Sequence, residues 1–440
     1  MRTRGVMLGG SLVIAAAVAF WARYQFVLLY GGTASDYLAW ADVNYFGGIS
    51  RFYVDTARAL AGGQAFPTLA YPPGYPFLLS LPVRAGYPGA MALRLFQIAL
   101  DSLGVVAVFV LLRLGRWSVA SSIAGAWVYA LHPLLATGAV FLLAEALSPL
   151  FLVVVLLAVA HAARARAVWW SVAGAFTGSA MLVRPDLLVL AAGLTLFAAA
   201  AGQHRGRQVA LFLAGAMLVL GPWALRNRIH EGVWVMTSAS AGAALYEGLG
   251  DIPNAYGYLS DDSATNQLLK RQGITTGAGS PRGNQQLERE YLRAAWAHPG
   301  HVVRAIGSRW RSILFASEHL QPLYFPRARE AADALGPLLV LAALVLARRH
   351  LVQTLIVAAP LVSALLGIGL THFEPRYVRY VQLSYLFAGL IVAEYLVNEL
   401  RSRVASVAVV AGGAAAVALV ALYCVKQLAD LHRDVQALLF

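Results

Sequence analysis

Apolar stretches long enough, or nearly long enough, to cross a bilayer recur along the chain. They lie near 6–29, 91–112, 118–137, 139–160, 168–183, 186–201, 209–225, 334–347, 351–370, 381–398 and 404–425. Each reads as a continuous apolar helix, because an unpaired backbone is costly in lipid. The pattern therefore predicts an all-α polytopic integral membrane protein with about eleven transmembrane helices, outer-face loops and interfacial helices. The stretch Tyr75–Val83 is too short to cross and reads as a re-entrant or interfacial piece.

The polar breaks between spans are of two kinds. At alternate ends stand Arg2 and Arg4, Arg113 and Arg116, Arg164 and Arg166, Arg205 and Arg207, Arg348 and Arg349, and Arg401 and Arg403. Paired arginines in short loops on one face mark that face as cytoplasmic. The chain then starts in the cytoplasm of a bacterial inner membrane. The opposite, outer face receives Ser35–Pro76, the turns at His132-Pro133 and Arg184-Pro185-Asp186, the segment Arg226–Asp333, the turn Thr371–Tyr380 and the tail from Lys426. Ala17-Val18-Ala19 has the look of a signal-cleavage site, but the first span is expected to be retained.

Three regions follow from this layout. Residues 1–225 form an N-terminal transmembrane module with a first outer loop at 31–90. Residues 226–333 form an outer-face segment, and 334–440 a C-terminal transmembrane module. In the middle region Asp251–Gly283 is rich in Gly, Ser, Thr, Asn and Asp and reads as loop. Gln285–Trp296 has helical character and is broken by His298-Pro299-Gly300. Val302–Phe315 is amphipathic and fits an interface.

Composition sharpens this picture. The chain has 440 residues, is 59% hydrophobic and only 12% charged, which requires lipid as the solvent for much of it. A net charge of +13 raises the question of nucleic acid, but the arginines cluster at span ends, so they read as topology signals and headgroup contacts instead. The single cysteine, Cys424, excludes an intramolecular disulfide and a cysteine-based metal site.

Chemistry concentrates on the outer face. No GxxxxGK[ST] or GxGxxG pattern occurs in the cytoplasmic loops, so a cytosolic nucleotide site is not expected. An activated substrate for the outer face has to arrive attached to a lipid. The first outer loop holds the acids Asp36, Asp42 and Asp55 together with Tyr53, Tyr71 and Tyr75. Asp55 follows Tyr53 by two residues, which on a helix turns it away from the tyrosine. Glu145 falls just inside a span, where an acid must be paired or face water. Arg94, Gln97 and Asp101 share one helical face, as an internal polar seam or with Arg94 reaching a lipid phosphate. Arg184 and Asp186 read as a local ion pair. Arg226 ends a span at headgroup level, as an anchor or as a phosphate ligand. His372, Glu374, Arg376, Tyr377 and Arg379 crowd into one short turn, a belt-forming cluster or a phosphate site.

Several of these residues fall in an order that resembles a family. Tyr53-x3-Ala57-x2-Leu60-x2-Gly63 is followed by Tyr71-Pro72-Pro73-Gly74-Tyr75-Pro76. Then come Glu145, Leu182-Val183-Arg184-Pro185, Pro222-Trp223-x2-Arg226-Asn227, Thr237-Ser238, Ala297-His298-Pro299 and Glu374-Pro375-Arg376-Tyr377. This series resembles the GT-C glycosyltransferases, which include the protein O-mannosyltransferases and the lipid A aminoarabinose transferases. The resemblance implies transfer of a sugar from a polyprenyl-phosphate carrier to an acceptor hydroxyl at the outer face, with inversion. Protein, lipid and cell-wall glycan acceptors all fit. It also implies a first-loop aspartate as general base and a late Arg-Tyr, here Arg376 and Tyr377, that holds the carrier phosphate. The base usually stands four residues before the loop tyrosine, where this chain has Ile49. Asp42, Asp36 or Asp55 then takes the role, or the loop lacks a base. No cofactor is implied with certainty, since some relatives use a divalent cation and others do not. Mg²⁺ or Mn²⁺ would suit Asp and Glu oxygens. Two rivals stand beside the transferase: a non-catalytic relative, and a transporter or flippase of lipid-linked or small polar substrates.

Overall fold

The computed structural model describes residues 2–29, 48–139, 141–201, 204–315 and 326–403. All regular structure among the described residues is helical. Helix α1 spans Arg2–Leu29, and α2 (Ile49–Ala61) and α3 (Gly74–Arg84) are short helices outside the spans. The bundle continues with α4 (Ala90–Leu114), α5 (Val119–Leu131), α6 (Pro133–Gly138), α7 (Ser148–Ala162), α8 (Trp169–Val183), α9 (Leu188–Ala200) and α10 (Arg205–Glu231). Four further helices follow: α11 (Ala241–Glu247), α12 (Asp262–Arg271), α13 (Pro281–Ala297) and α14 (Pro299–Leu314). The chain closes with α15 (Pro326–Ala347), α16 (Leu351–Gly367) and α17 (Gln382–Arg403).

The expected apolar spans up to residue 398 largely coincide with helix, but 118–137 is broken at His132 between α5 and α6, and the span expected at 139–160 is helical only from Ala144. The span at 404–425 lies outside the described residues. Among the described residues, five segments are long and apolar enough to cross a bilayer: Gly9–Leu28, Ala90–Leu114, Ala144–Ala162, Arg205–Glu231 and Arg376–Glu399. Val119–Leu131, Pro185–Ala200, Leu335–Ala347 and Leu351–Gly367 are shorter apolar helices. Val13, Leu196, Leu218 and Leu338 are each more than 60% exposed on these helices. Side chains of that kind need lipid around them. Tyr75–Val83 does lie in a separate short helix, α3.

The helices pack as a closed ring of neighbours. α1 lies on α4 and α5, α4 on α7, α7 on α8, α8 on α10, and α10 on α9. α9 touches α16, which joins α15 and α17, and α17 returns to α5. The α8–α10 contact is the tightest. Gly174 and Gly178 on α8 meet the backbone of Phe212 and Ala216, and Gly215 on α10 meets that of Ser171. Small residues four apart let two helices approach this closely without a hydrophobic drive between them.

The middle region is more ordered than its composition suggests. α10 continues past residue 225 to Glu231, and α15 begins at Pro326. Between them, α12 is capped by Asp261, which accepts from Ser263 N–H at 2.9 Å, and α13 by Ser280, which accepts from Gly283 N–H at 3.0 Å. The Gly/Ser/Asp-rich stretch expected to be loop therefore holds α12, because its polar residues serve as caps.

Candidate functional site

The YPPGYP motif sets one wall. Pro72 and Pro73 lead into α3, and Gly74 sits against the end of α8. A side chain on Gly74 would lie 2.7 Å from the Leu182 carbonyl oxygen, a backbone atom that cannot give way. Glycine thus lets α3 begin beside Val183 and Arg184. Tyr75 is fully buried and donates to Gln97 of α4. Gln97 in turn donates to the carbonyls of Ala139 and Phe141 at 2.6 and 2.7 Å. One polar seam so ties the first-loop motif to the stretch that delivers Glu145.

α2 supplies the rest of the wall. It begins after Gly48, whose φ of +92° reverses the chain. Tyr53 stands edge-on to Tyr75, ring centres 4.9 Å apart, and Phe52 lies 4.7 Å from Tyr71. Ile49, at the position where an aspartate was sought, packs into the apolar cluster containing Tyr53, Tyr75 and Leu79.

Opposite the tyrosines runs a chain of alternating charges. Glu145 sits in the 3-10 turn Ala144–Leu147 that opens α7. Its Oε1 lies 3.1 Å from Arg184 and 3.7 Å from Arg376, whereas its buried Oε2 accepts no hydrogen bond from the described residues. Arg184 ends α8 in extended backbone before Pro185, which forbids the helix to continue. It pairs with Asp186 at 2.8 Å, and Tyr380 donates to the same carboxylate at 3.3 Å. Arg376 reaches Glu374 at 2.7 Å, and Tyr377 donates to Glu374 at 3.0 Å. Two guanidinium groups lie over the Tyr377 ring, Arg184 at 4.8 Å and Arg376 at 5.2 Å from its centre. Buried charges of this kind persist only because each has an opposite partner.

The middle region closes over this chain. His372 lies 2.7 Å from Asp251 and 3.7 Å from Glu374, and Arg309 lies 3.1 Å from Asp251. Burial alone would lower the His372 pKa, but the hydrogen bonds and charges of Asp251 and Glu374 outweigh it and raise it to about 10. Burial would raise that of Glu374, but His372 and Arg376 hold it down to about 2. Glu247, at the end of α11, is pushed up to about 8, first by burial and then by the charge and hydrogen bond of Asp262. It accepts from Thr265 at 3.1 Å. Burial, followed by the charge of Asp262, also raises Tyr71.

The structure gathers Tyr53, Tyr71, Tyr75, Glu145, His372, Glu374, Arg376 and Tyr377 into one region. Arg379 lies beside it, 5.7 Å from the Phe141 ring and against Gly138. Asp55 stays apart, exposed on α2 and paired with Arg58 at 3.3 Å. Arg94 is fully buried in α4, in the seam with Gln97 and Asp101. Arg226 is half-buried, donating to the Phe66 carbonyl at 3.1 Å and lying over Trp223. Asp36 and Asp42 lie outside the described residues. Among the described residues no cluster of three or more His, Cys, Asp or Glu side chains is arranged to hold a metal. Sequence reasoning had not singled out Asp251, Arg309, Glu247 or Asp262. Arg184, expected as the partner of Asp186 and as part of the Leu182-Val183-Arg184-Pro185 motif, reaches Glu145 as well.

Comparison with known proteins bears on the same region. Residues 70–224 match the family described as dolichyl-phosphate-mannose-protein mannosyltransferase. The matched part runs from Ala70 through Glu145 and Arg184 to Ala224. No curated protein sequence matches. Among solved structures, the chain is similar to the Archaeoglobus fulgidus oligosaccharyltransferase, crystallised in complex with zinc and sulfate, at 15% identity and a TM-score of 0.50. That likeness covers 96% of this chain and 52% of the other, so this chain spans about half the length of the enzyme it resembles.

Proposed function

We propose that this chain, whose fold is of the GT-C type, is an inverting glycosyltransferase that moves a sugar from a polyprenyl-phosphate carrier to an acceptor hydroxyl. The observation that carries the reading is the junction at Glu145. There two buried arginines, from distant parts of the chain, meet one carboxylate that keeps one oxygen uncommitted, beside a wall of tyrosines. Fixed cations beside a leaving phosphate stabilise the charge that develops on it. Arg376 and Tyr377 take the carrier phosphate, with Arg379 and His372 nearby. Tyr71, which is only partly buried, offers a ring face to the sugar, with Tyr53 and Tyr75 packed behind it. Asp42 is the acceptor's base, supplied from the stretch between α1 and α2. It removes the hydroxyl proton as that oxygen bonds to the anomeric carbon. The bond from that carbon to the phosphate oxygen breaks, and polyprenyl phosphate leaves. Glu145 orients the acceptor. The arginine-paired helix ends belong to the cytoplasmic face, and the site opens on the opposite face of a bacterial inner membrane.

A second reading rests on Ile49. Its packing among aromatic side chains in place of an acid favours a non-catalytic relative that still binds the lipid carrier. Purified protein in liposomes, given a panel of polyprenyl-phosphate sugars, separates the two. Release of free polyprenyl phosphate that Asp42→Asn lowers by roughly 10²–10⁴-fold supports the transferase with this base. Carrier binding without release from any donor supports the non-catalytic relative.

A further inference from the structure

The ion pairs around the 369–376 turn come from two parts of the chain. Asp251, just after α11, accepts from Arg309 at 3.1 Å, from Phe373 N–H at 3.2 Å, from Ser260 at 2.8 Å and from His372 at 2.7 Å. Arg309, 3% exposed on α14, donates to the carbonyls of Gly369 and Gly248. Gly248 lies so close to the Thr371 carbonyl that a side chain there would collide with it. The middle region therefore grips the turn between α16 and α17 on both sides. His372 reaches onward from this grip, with Nε2 3.7 Å from Glu374. Glu374 is the carboxylate that holds Arg376 at 2.7 Å.

The geometry points to Asp251 and His372 as positioning residues for Arg376: the middle region, docked through their ion pair, holds Glu374 in place and so fixes the guanidinium that receives the carrier phosphate. This rests on the reading of Arg376 as the phosphate ligand. His372 acts here as a fixed cation between two carboxylates. Neutralising it leaves Asp251 and Glu374 facing each other across the turn, and Glu374 is then free to move with Arg376.

The test uses the full-length protein in liposomes, with polyprenyl monophosphate as the probe and each variant's thermal midpoint recorded alongside. His372→Gln and Asp251→Asn are each expected to weaken polyprenyl monophosphate binding by about tenfold per folded molecule, the loss of one charge-assisted contact. His372→Lys, which keeps the cation, is expected to stay within about threefold of wild type. A purely structural role would lower the midpoint and leave affinity per folded molecule alone. The inference is overturned if Arg376→Ala weakens binding while His372→Gln and Asp251→Asn do not, or if Lys is no better than Gln at position 372. If Arg376→Ala leaves binding unchanged, the phosphate-site reading fails and the inference with it.

Discussion

Two buried carboxylates face arginines in this protein, and their surroundings differ. Asp101, deep in α4, has both oxygens engaged: Oδ2 by Arg23 of α1 at 2.5 Å and Oδ1 by the Tyr129 hydroxyl at 2.9 Å. Arg23 also donates to the carbonyls of Ala19 and Ala130. Glu145 has one oxygen shared between Arg184 and Arg376 and the other without a hydrogen bond. The first arrangement staples α1, α4 and α5 together. The second sits where helix ends meet aromatic side chains and holds its charges in a looser, longer set of contacts. The contrast separates a carboxylate whose bonding is complete from one that leaves an oxygen open, as the proposed role of Glu145 requires.

Breaking the inner pair is expected to have the largest effect on stability. Asp101→Asn leaves Arg23 buried without a counter-charge, a loss of about 3–5 kcal/mol. Thermal unfolding in detergent should show it as a marked drop in midpoint. Transfer per folded molecule should stay within about threefold, because Asp101 and Arg23 bond to one another, to Tyr129 and to the Ala19 and Ala130 carbonyls rather than to Glu145, Arg184 or Arg376. A midpoint within a degree of wild type would place the pair outside the architecture.

Gly74→Ala comes next. Its new methyl group meets the Leu182 carbonyl and pushes α3 off α8, at a cost of about 1–3 kcal/mol. Because Arg184 follows directly, transfer should fall with stability. An unchanged midpoint would mean that the two helices do not need this close approach.

Glu247 gives a smaller, pH-dependent signal. Its carboxyl ionises near 4.5 in the unfolded chain and near 8 in the folded protein, so the folded state binds the extra proton between those values. Its stabilising contribution is complete below pH 4.5 and is lost as pH rises through 8. Glu247→Gln removes this dependence. The variant's midpoint should gain on wild type from pH 5 to pH 9, and parallel midpoint curves would refute the shift. The smallest effect is expected at Asp55. It is exposed and pairs with Arg58, so Asp55→Asn should leave transfer within about twofold of wild type.

Much of this was legible in the chain because it depends on local pattern. Apolar runs marked the helices, Pro185 marked the break that presents Arg184, and the density of polar groups at 372–379 marked the turn. The seam at Arg94, Gln97 and Asp101 followed from helical spacing. The partners of Glu145 were not legible. Arg184 and Arg376 reach it only through the ring closure of the bundle, which no local spacing encodes. Asp251 and Arg309 looked like a loop acid and an interfacial arginine, since their meeting depends on how α14 packs against the turn Gly248–Gly250 that follows α11. Ile49 was visible as a departure from the family pattern, but its packing against Tyr53 was not.

The most direct test is the transfer rate of Glu145→Gln, measured as polyprenyl phosphate release in liposomes at matched amounts of folded protein. The amide keeps the shape of the side chain and an oxygen for Arg184 while removing the charge that two arginines share. Transfer is expected to fall by roughly 10²-fold, with a midpoint shift smaller than that of Asp101→Asn. Wild-type transfer in a folded Glu145→Gln protein would contradict the account and make the Glu145 junction architectural, like the pair at Asp101.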